Sequence, residues 1–256
     1  MIPYHDENDT VRPAIVTIAI VAICVLMWIV VQGAGSEYSL AESVCNLGLI
    51  PGELTQTLRA GLQFPIGEGL ACVIDPGPQY TNVVTSMFLH GGWMHLIGNM
   101  WFLWLFGNNI EDSMTRPRFI LFYLLCGLGA AMAQVLAEPS SFIPMVGASG
   151  AISGVMGAYL VLYPRARVYT FVPLGFFFTN IALPAWVMLL YWMAIQIFGG
   201  LSQSVAGEGG GVAFWAHVGG FVAGVVLIKL FAKPNHVLAH TSQHYQPQRV
   251  GWDYRQ

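Results

Sequence analysis

The chain has 256 residues, 55% of them hydrophobic and 9% charged, with a formal net charge of −3. Soluble domains carry about 25% charged residues, so this composition excludes an ordinary water-soluble domain and points to a chain that crosses a membrane several times. No basic stretch or nucleic-acid motif is present, and no nucleic-acid partner is expected.

A membrane helix needs roughly 20 apolar residues, and six segments are candidates. The first, 13–33, follows the acidic start MIPYHDENDT. It lacks a basic leader and exceeds a signal-peptide core, so a retained helix is expected after a tail of residues 1–12. A long loop, 34–90, carries Cys45 and Cys72, which in an oxidising compartment either pair or remain two free thiols. The second span is 91–110 and the third 118–137. The fourth, 149–163, is too short to cross. The fifth, 169–199, contains Pro173 and Pro184, which should break or kink it. The sixth is 212–232. Cys24 and Cys126 fall inside spans and read as packing residues. The tail, 233–256, reads as polar and mostly disordered, although a helix would place His236, His240 and His244 on one face. No internal repeat suggests a two-fold transporter.

Six spans put both termini, the 111–118 loop and the 164–168 loop on one side. That side holds nine of the ten Lys and Arg residues, and the other only Arg59. By the positive-inside rule both termini are cytoplasmic, and the 34–90, 138–148 and 200–211 loops face outward. The expected location is a bacterial plasma membrane.

Polar groups inside a membrane are costly and call for a reason. Four stand out: His95, Asn99, Ser149 and His217. Ser149 precedes Tyr163 by 14 residues, roughly 21 Å of helix. Counted the same way from Glu111 and Lys229, Asn99, His95 and His217 lie at similar heights, about 18–24 Å up. The fourth helix is therefore short because its outer end stops inside the membrane. Its unpaired N–H groups are tolerated there only beside a water-filled cavity or within protein. Gly150 with Gly154, and Gly220 with Gly224, form two GxxxG faces that let helices approach closely, as a Ser149–His217 hydrogen bond would need. Taken singly, Ser149 reads as a packing residue and the His95–Asn99 pair as an interhelical clamp. Together at one depth they form a nucleophile, a base and two oxyanion donors.

Three stretches carry a family resemblance: HGGWMHLIGNMWFLWLFGNNIED at 90–112, GASGAISGVMGAY at 147–159 and AHVGGFVAG at 216–224. In order and spacing the sequence resembles the rhomboid intramembrane serine proteases over about residues 13–232. The resemblance implies an all-α membrane protein, a six-helix bundle with a short, recessed fourth helix. It implies a Ser149 nucleophile, a His217 general base and an oxyanion site of His95 and Asn99 with the Ser149 backbone N–H, where Gly147 lets the chain turn. His90 matches a further family histidine and reads as structural. Two departures stand out. A Trp-Arg pair common in the family's first outer loop is Thr81 and Asn82 here. The tyrosine that stacks on the histidine in some members is Ser153, so His217 needs another orienting group, such as packing against the glycine faces.

The expected function is cleavage of transmembrane segments of single-span membrane proteins within the lipid bilayer, through an acyl-enzyme, with no cofactor or metal. Substrate entry is expected beside the fifth span, with its two prolines and the AGEGGG loop (206–211) as a movable cap. The competing readings are a catalytically silent binding module of the same fold, and a haem or metal protein using His90, His95 and His217.

Overall fold

In lipid a chain must satisfy its own amides, which favours helix wherever apolar residues run on. The computed structural model describes residues 2–174, 177–206 and 211–244. Strand β1 (Ile2–Asp6) leads into helix α1 (Ile15–Val30), then α2 (Glu37–Leu47) and a single turn, α3 (Pro51–Leu54). A hairpin of β2 (Gln63–Gly67) and β3 (Leu70–Val73) and another turn, α4 (Asn82–Thr85), complete the first long loop. Then come α5 (Trp93–Asp112), α6 (Arg116–Ala137), α7 (Ser149–Leu162), strands β4 (Arg167–Leu174) and β5 (Phe177–Pro184), α8 (Ala185–Ala206), α9 (Phe214–Phe231) and α10 (Pro234–His244). Among the described residues three helices are long and apolar enough to cross a membrane: Arg116–Ala137, Ala185–Ser204 and Phe214–Phe231. Ile15–Val30 and Ser149–Leu162 are shorter apolar helices.

The short α7 sits at the centre. Every residue from Gly150 to Tyr159 is buried, so its early end lies within protein. Small residues bring its neighbours close. A Cβ added to Gly154 would strike Cys126 of α6, and one on Gly220 would strike the Gly150 carbonyl. The two GxxxG faces therefore meet, α7 against α9. Phe106, Phe119, Phe122, Tyr123 and Tyr159 fill the core around them.

The all-α expectation needs amending at 167–184. This stretch is not the start of a fifth helix but a β-hairpin, with Arg167 paired to Pro184 and Leu174 to Phe177. Its Val, Tyr, Thr and Phe residues favour strand, and Pro184 ends it directly before α8. That helix holds neither proline and runs on to Ala206. The amino-terminal residues are likewise not a free tail: β1 adds to the hairpin antiparallel, Ile2 opposite Phe171 and Asp6 opposite Val168.

The carboxy-terminal residues 234–244 form α10 instead of a disordered tail. His240 on it is fully buried, with Nδ1 bonded to Asp112 at 2.8 Å and Nε2 to Asn8 at 2.7 Å. His236 Nδ1 lies 2.7 Å from the Arg12 guanidinium. Residues 245–256 lie outside the described residues. Asp112 also accepts from the Val11 N–H at 2.8 Å and from Arg12 at 3.2 Å. Burial pulls the Asp112 carboxyl up, but the bonds from His240, Val11 and Arg12 together hold it below its ordinary value. Its neighbour Glu111 takes the Val16 and Thr17 N–H groups at 2.9 and 2.8 Å. These are orphan donors at the start of α1, which has no side-chain cap of its own.

At the other end a Cys45–Cys72 disulfide closes the first loop. The Asn82 amide donates to the carbonyls of Asn46 and Gly48 at 3.1 and 3.0 Å. Thr85 adds a bond to Leu47 O at 2.8 Å. The loop then grips the segment leading to α7. Leu49 and Met145 exchange two backbone bonds, Gly52 N–H donates to Ser141 O, and Gly147 N–H donates to Ser86 O.

Candidate active site

Ser149 is the first residue of α7. Its Oγ lies 2.7 Å from His217 Nε2 on α9. The glycine contacts between the two helices make that distance possible, since any Cβ at Gly220 would force them apart. His217 Nδ1 lies 2.8 Å from Gln196 Oε1 on α8. Trp192, one turn earlier, sets its ring 5.7 Å from the imidazole at an interplanar angle of 41°. Ser153 turns its hydroxyl back to Ser149 O at 2.6 Å. Two residues of α8 thus contact the His217 ring, in addition to the packing of the glycine faces.

His95 enters from α5. Its Nδ1 accepts the Gly91 N–H at 3.2 Å, which leaves the proton on Nε2. That Nε2 faces Gly147: a Cβ there would sit 2.8 Å from it and 3.6 Å from Ser149 Oγ. Gly147 has φ +127°, a conformation that favours glycine. Its own N–H is engaged by Ser86 O at 2.9 Å, so Gly147 makes room for the site and does not donate into it. Asn99 lines the same cavity, with its amide donating to His95 O at 2.8 Å. A second amide hydrogen stays free of that bond. The Ser149 N–H, at a helix start, has no intrahelical partner.

His90 is fully buried, and its ring meets His95 edge-on at 5.3 Å. Burial pushes its imidazole down to about 3, aided by the neighbouring His95. Gln32 clasps its backbone from both sides, at 2.7 and 2.8 Å. A neutral, buried ring beside His95 fits a packing role.

These groups line a cavity of about 660 Å³, bounded by His95, Asn99, Gly147, Ser149, Trp192 and His217. Gln134 of α6 also reaches it and caps α9, accepting the Ala216 N–H at 3.1 Å next to His217. Residues 207–210 of the AGEGGG loop lie outside the described residues. A hydroxyl bonded to an imidazole nitrogen, with N–H donors close by, is an arrangement able to carry out nucleophilic acyl transfer.

The structure brings Ser149, His217, His95 and Asn99 together at one cavity and sets Gln196, Trp192 and Gln134 beside them, three residues the sequence did not single out. The available signal was the amide itself: Gln196 is an isolated polar residue within the apolar run 185–201.

Residues 77–234 match the family of the rhomboid domain. The chain is 30% identical over 159 residues to Rhomboid-like protein 11, chloroplastic, of Arabidopsis thaliana, covering 61% of this chain and 54% of that protein. It is 30% identical over 152 residues to Rhomboid protein 1, mitochondrial, of Saccharomyces cerevisiae, covering 57% and 40%. Against Rhomboid protease GluP of Bacillus subtilis it is 37% identical over 82 residues, covering 32% and 16%. The chain therefore spans about half or less of the length of these relatives.

Proposed function

This chain belongs to the rhomboid family of integral membrane proteins, and we propose that it is an intramembrane serine endopeptidase whose nucleophile is Ser149. One observation carries the reading: Ser149 Oγ and His217 Nε2 are 2.7 Å apart on the wall of a cavity. Ser149 attacks the scissile carbonyl while neutral His217 takes its proton. The acyl-enzyme forms as the amine leaves with that proton, and water, activated by the same imidazole, hydrolyses the ester. The oxyanion is held by the Ser149 N–H, His95 Nε2–H and the Asn99 amide.

The substrates are single-span membrane proteins cleaved in stretches that unwind easily, because a helix hides its carbonyls. Six helices, α1 and α5–α9, make the membrane body, with α7 recessed. Both termini are cytoplasmic and the cavity opens to the outer side of a bacterial plasma membrane. In support, β1, β4, β5 and α10 gather near Asp112 and Arg12, the arginine-bearing end, while the disulfide lies in the loop read as outward-facing.

Cleavage of a reconstituted single-span reporter tests this. Wild type should cut it, and Ser149→Ala and His217→Ala should not. Activity should fall on acidification as His217 gains a proton and loses its acceptor nitrogen. Equal cleavage by wild type and Ser149→Ala would sink the assignment.

A further inference from the structure

The imidazole of His217 has two nitrogens, and the dyad uses one. For Nε2 to accept the serine proton, Nδ1 must carry the hydrogen. In this chain that hydrogen has an acceptor, Gln196 Oε1, at 2.8 Å. An amide can present oxygen or nitrogen, and a second bond decides which. Gln196 Nε2 donates to the Trp192 carbonyl one turn earlier, at 3.3 Å, so the oxygen faces the histidine. Gln196 is 7% exposed, which limits competition from water.

We propose that Gln196 is a positioning residue of the proteolytic site: it holds His217 in the tautomer and orientation that accept the Ser149 proton. The side chain supplies what a carboxylate supplies in a three-residue triad, without its charge. A neutral acceptor suits a site embedded in lipid, where a carboxylate would need its own counter-charge. The proton stays on Nδ1 throughout; only Nε2 gains and returns one. Trp192 supports the same ring from its face, so one turn of α8 fixes the imidazole in two directions. This proposal rests on the protease reading above.

The test is steady-state cleavage of the reconstituted single-span reporter across pH, for wild type, Gln196→Met and Gln196→Glu, with Ser149→Ala as the blank. Gln196→Met removes the acceptor at similar volume. Its kcat should fall about tenfold, the scale of one hydrogen bond in a transition state, with KM little changed. Gln196→Glu keeps the shape and adds charge. It stabilises the imidazolium, so the acid-side loss of activity should begin at higher pH, by about one unit. Among the described residues His95 acts on His217 through its charge and Glu138 lines the same cavity; both are the same in all variants, so a shift between them reports the residue at 196. Should Gln196→Met not fold, the pH profile of Gln196→Glu decides alone. Wild-type kcat and pH profile in both variants would overturn the proposal. So would equal losses with an unmoved acid limb, which would mark packing only. Wild-type turnover no higher than that of Ser149→Ala would overturn the protease reading and this proposal with it.

Discussion

Gly220 of α9 packs onto the carbonyl of Gly150, the residue after the candidate nucleophile, so closely that no Cβ fits between them. That contact sets the spacing of the helices carrying Ser149 and His217. Gly220→Ala should separate them. Overpacking of this kind costs about 1–3 kcal/mol, and the 2.7 Å Ser149–His217 bond is the contact most exposed to the shift. Thermal unfolding and reporter cleavage should both decline, cleavage more steeply. Unchanged cleavage in a destabilised variant would mean that the dyad tolerates the displacement.

The Cys45–Cys72 disulfide closes a loop of sequence separation 27. On a chain-entropy account such a crosslink stabilises by about 3.5 kcal/mol. The loop also holds the approach to Ser149, through the Leu49–Met145 and Gly52–Ser141 backbone bonds. Cys45→Ser with Cys72→Ser, or reductant, should lower the unfolding midpoint and reduce cleavage. A midpoint identical with and without reductant would show that the bond is not formed in the protein as isolated.

The candidate site was legible where a polar residue interrupts an apolar helix. Ser149, His217, His95 and Asn99 could be set at one depth by counting residues from charged anchors, because α5, α7 and α9 are regular. Gln196 could not be placed that way. Its span reads in sequence as one helix from 169, because an apolar run does not by period alone distinguish a buried strand from a helix. The β4–β5 hairpin and the pairing of β1 with β4 depend on partners far apart in sequence. The same holds for Asp6 with Tyr159 and Asn8 with His240, which is why both chain ends read as tails.

Glu111 should prove structural. Its carboxylate takes two orphan N–H groups of α1 and the Thr17 hydroxyl, at 2.8–2.9 Å. It is 4% exposed, so water cannot replace it cheaply. Glu111→Ala should lower stability by on the order of 3 kcal/mol, since bonds to a charged group are worth roughly 1.5–3 kcal/mol each and are not additive. Glu111→Gln, keeping one acceptor, should lose less. Unfolding in detergent measures both, and equal midpoints for wild type and Glu111→Ala would refute the cap.

Asp6 gives the fold a pH dependence of its own. Burial pushes its carboxyl from 3.8 up to about 6, against the lowering bond from Tyr159. Between those values the folded chain binds a proton that the unfolded chain does not. The contribution of Asp6 is therefore present at low pH and lost as pH rises through about 6, by about 3 kcal/mol across the window. Asp112 runs the other way. Its carboxyl is held below the ordinary value, so its contribution is present above that value and lost as pH falls through the lowered folded one. The two windows separate, and Asp6→Asn isolates the first. Tyr159 and Asn109 both donate to the same Asp6 oxygen, at 2.6 and 3.0 Å, and an asparagine oxygen placed there keeps both bonds. The variant should flatten the midpoint-against-pH curve between about pH 4 and 6 and leave the more acidic decline in place. Unfolding midpoints measured from about pH 2 to 7.5 decide it: a wild-type slope between about pH 4 and 6 retained in Asp6→Asn would assign that dependence to another group.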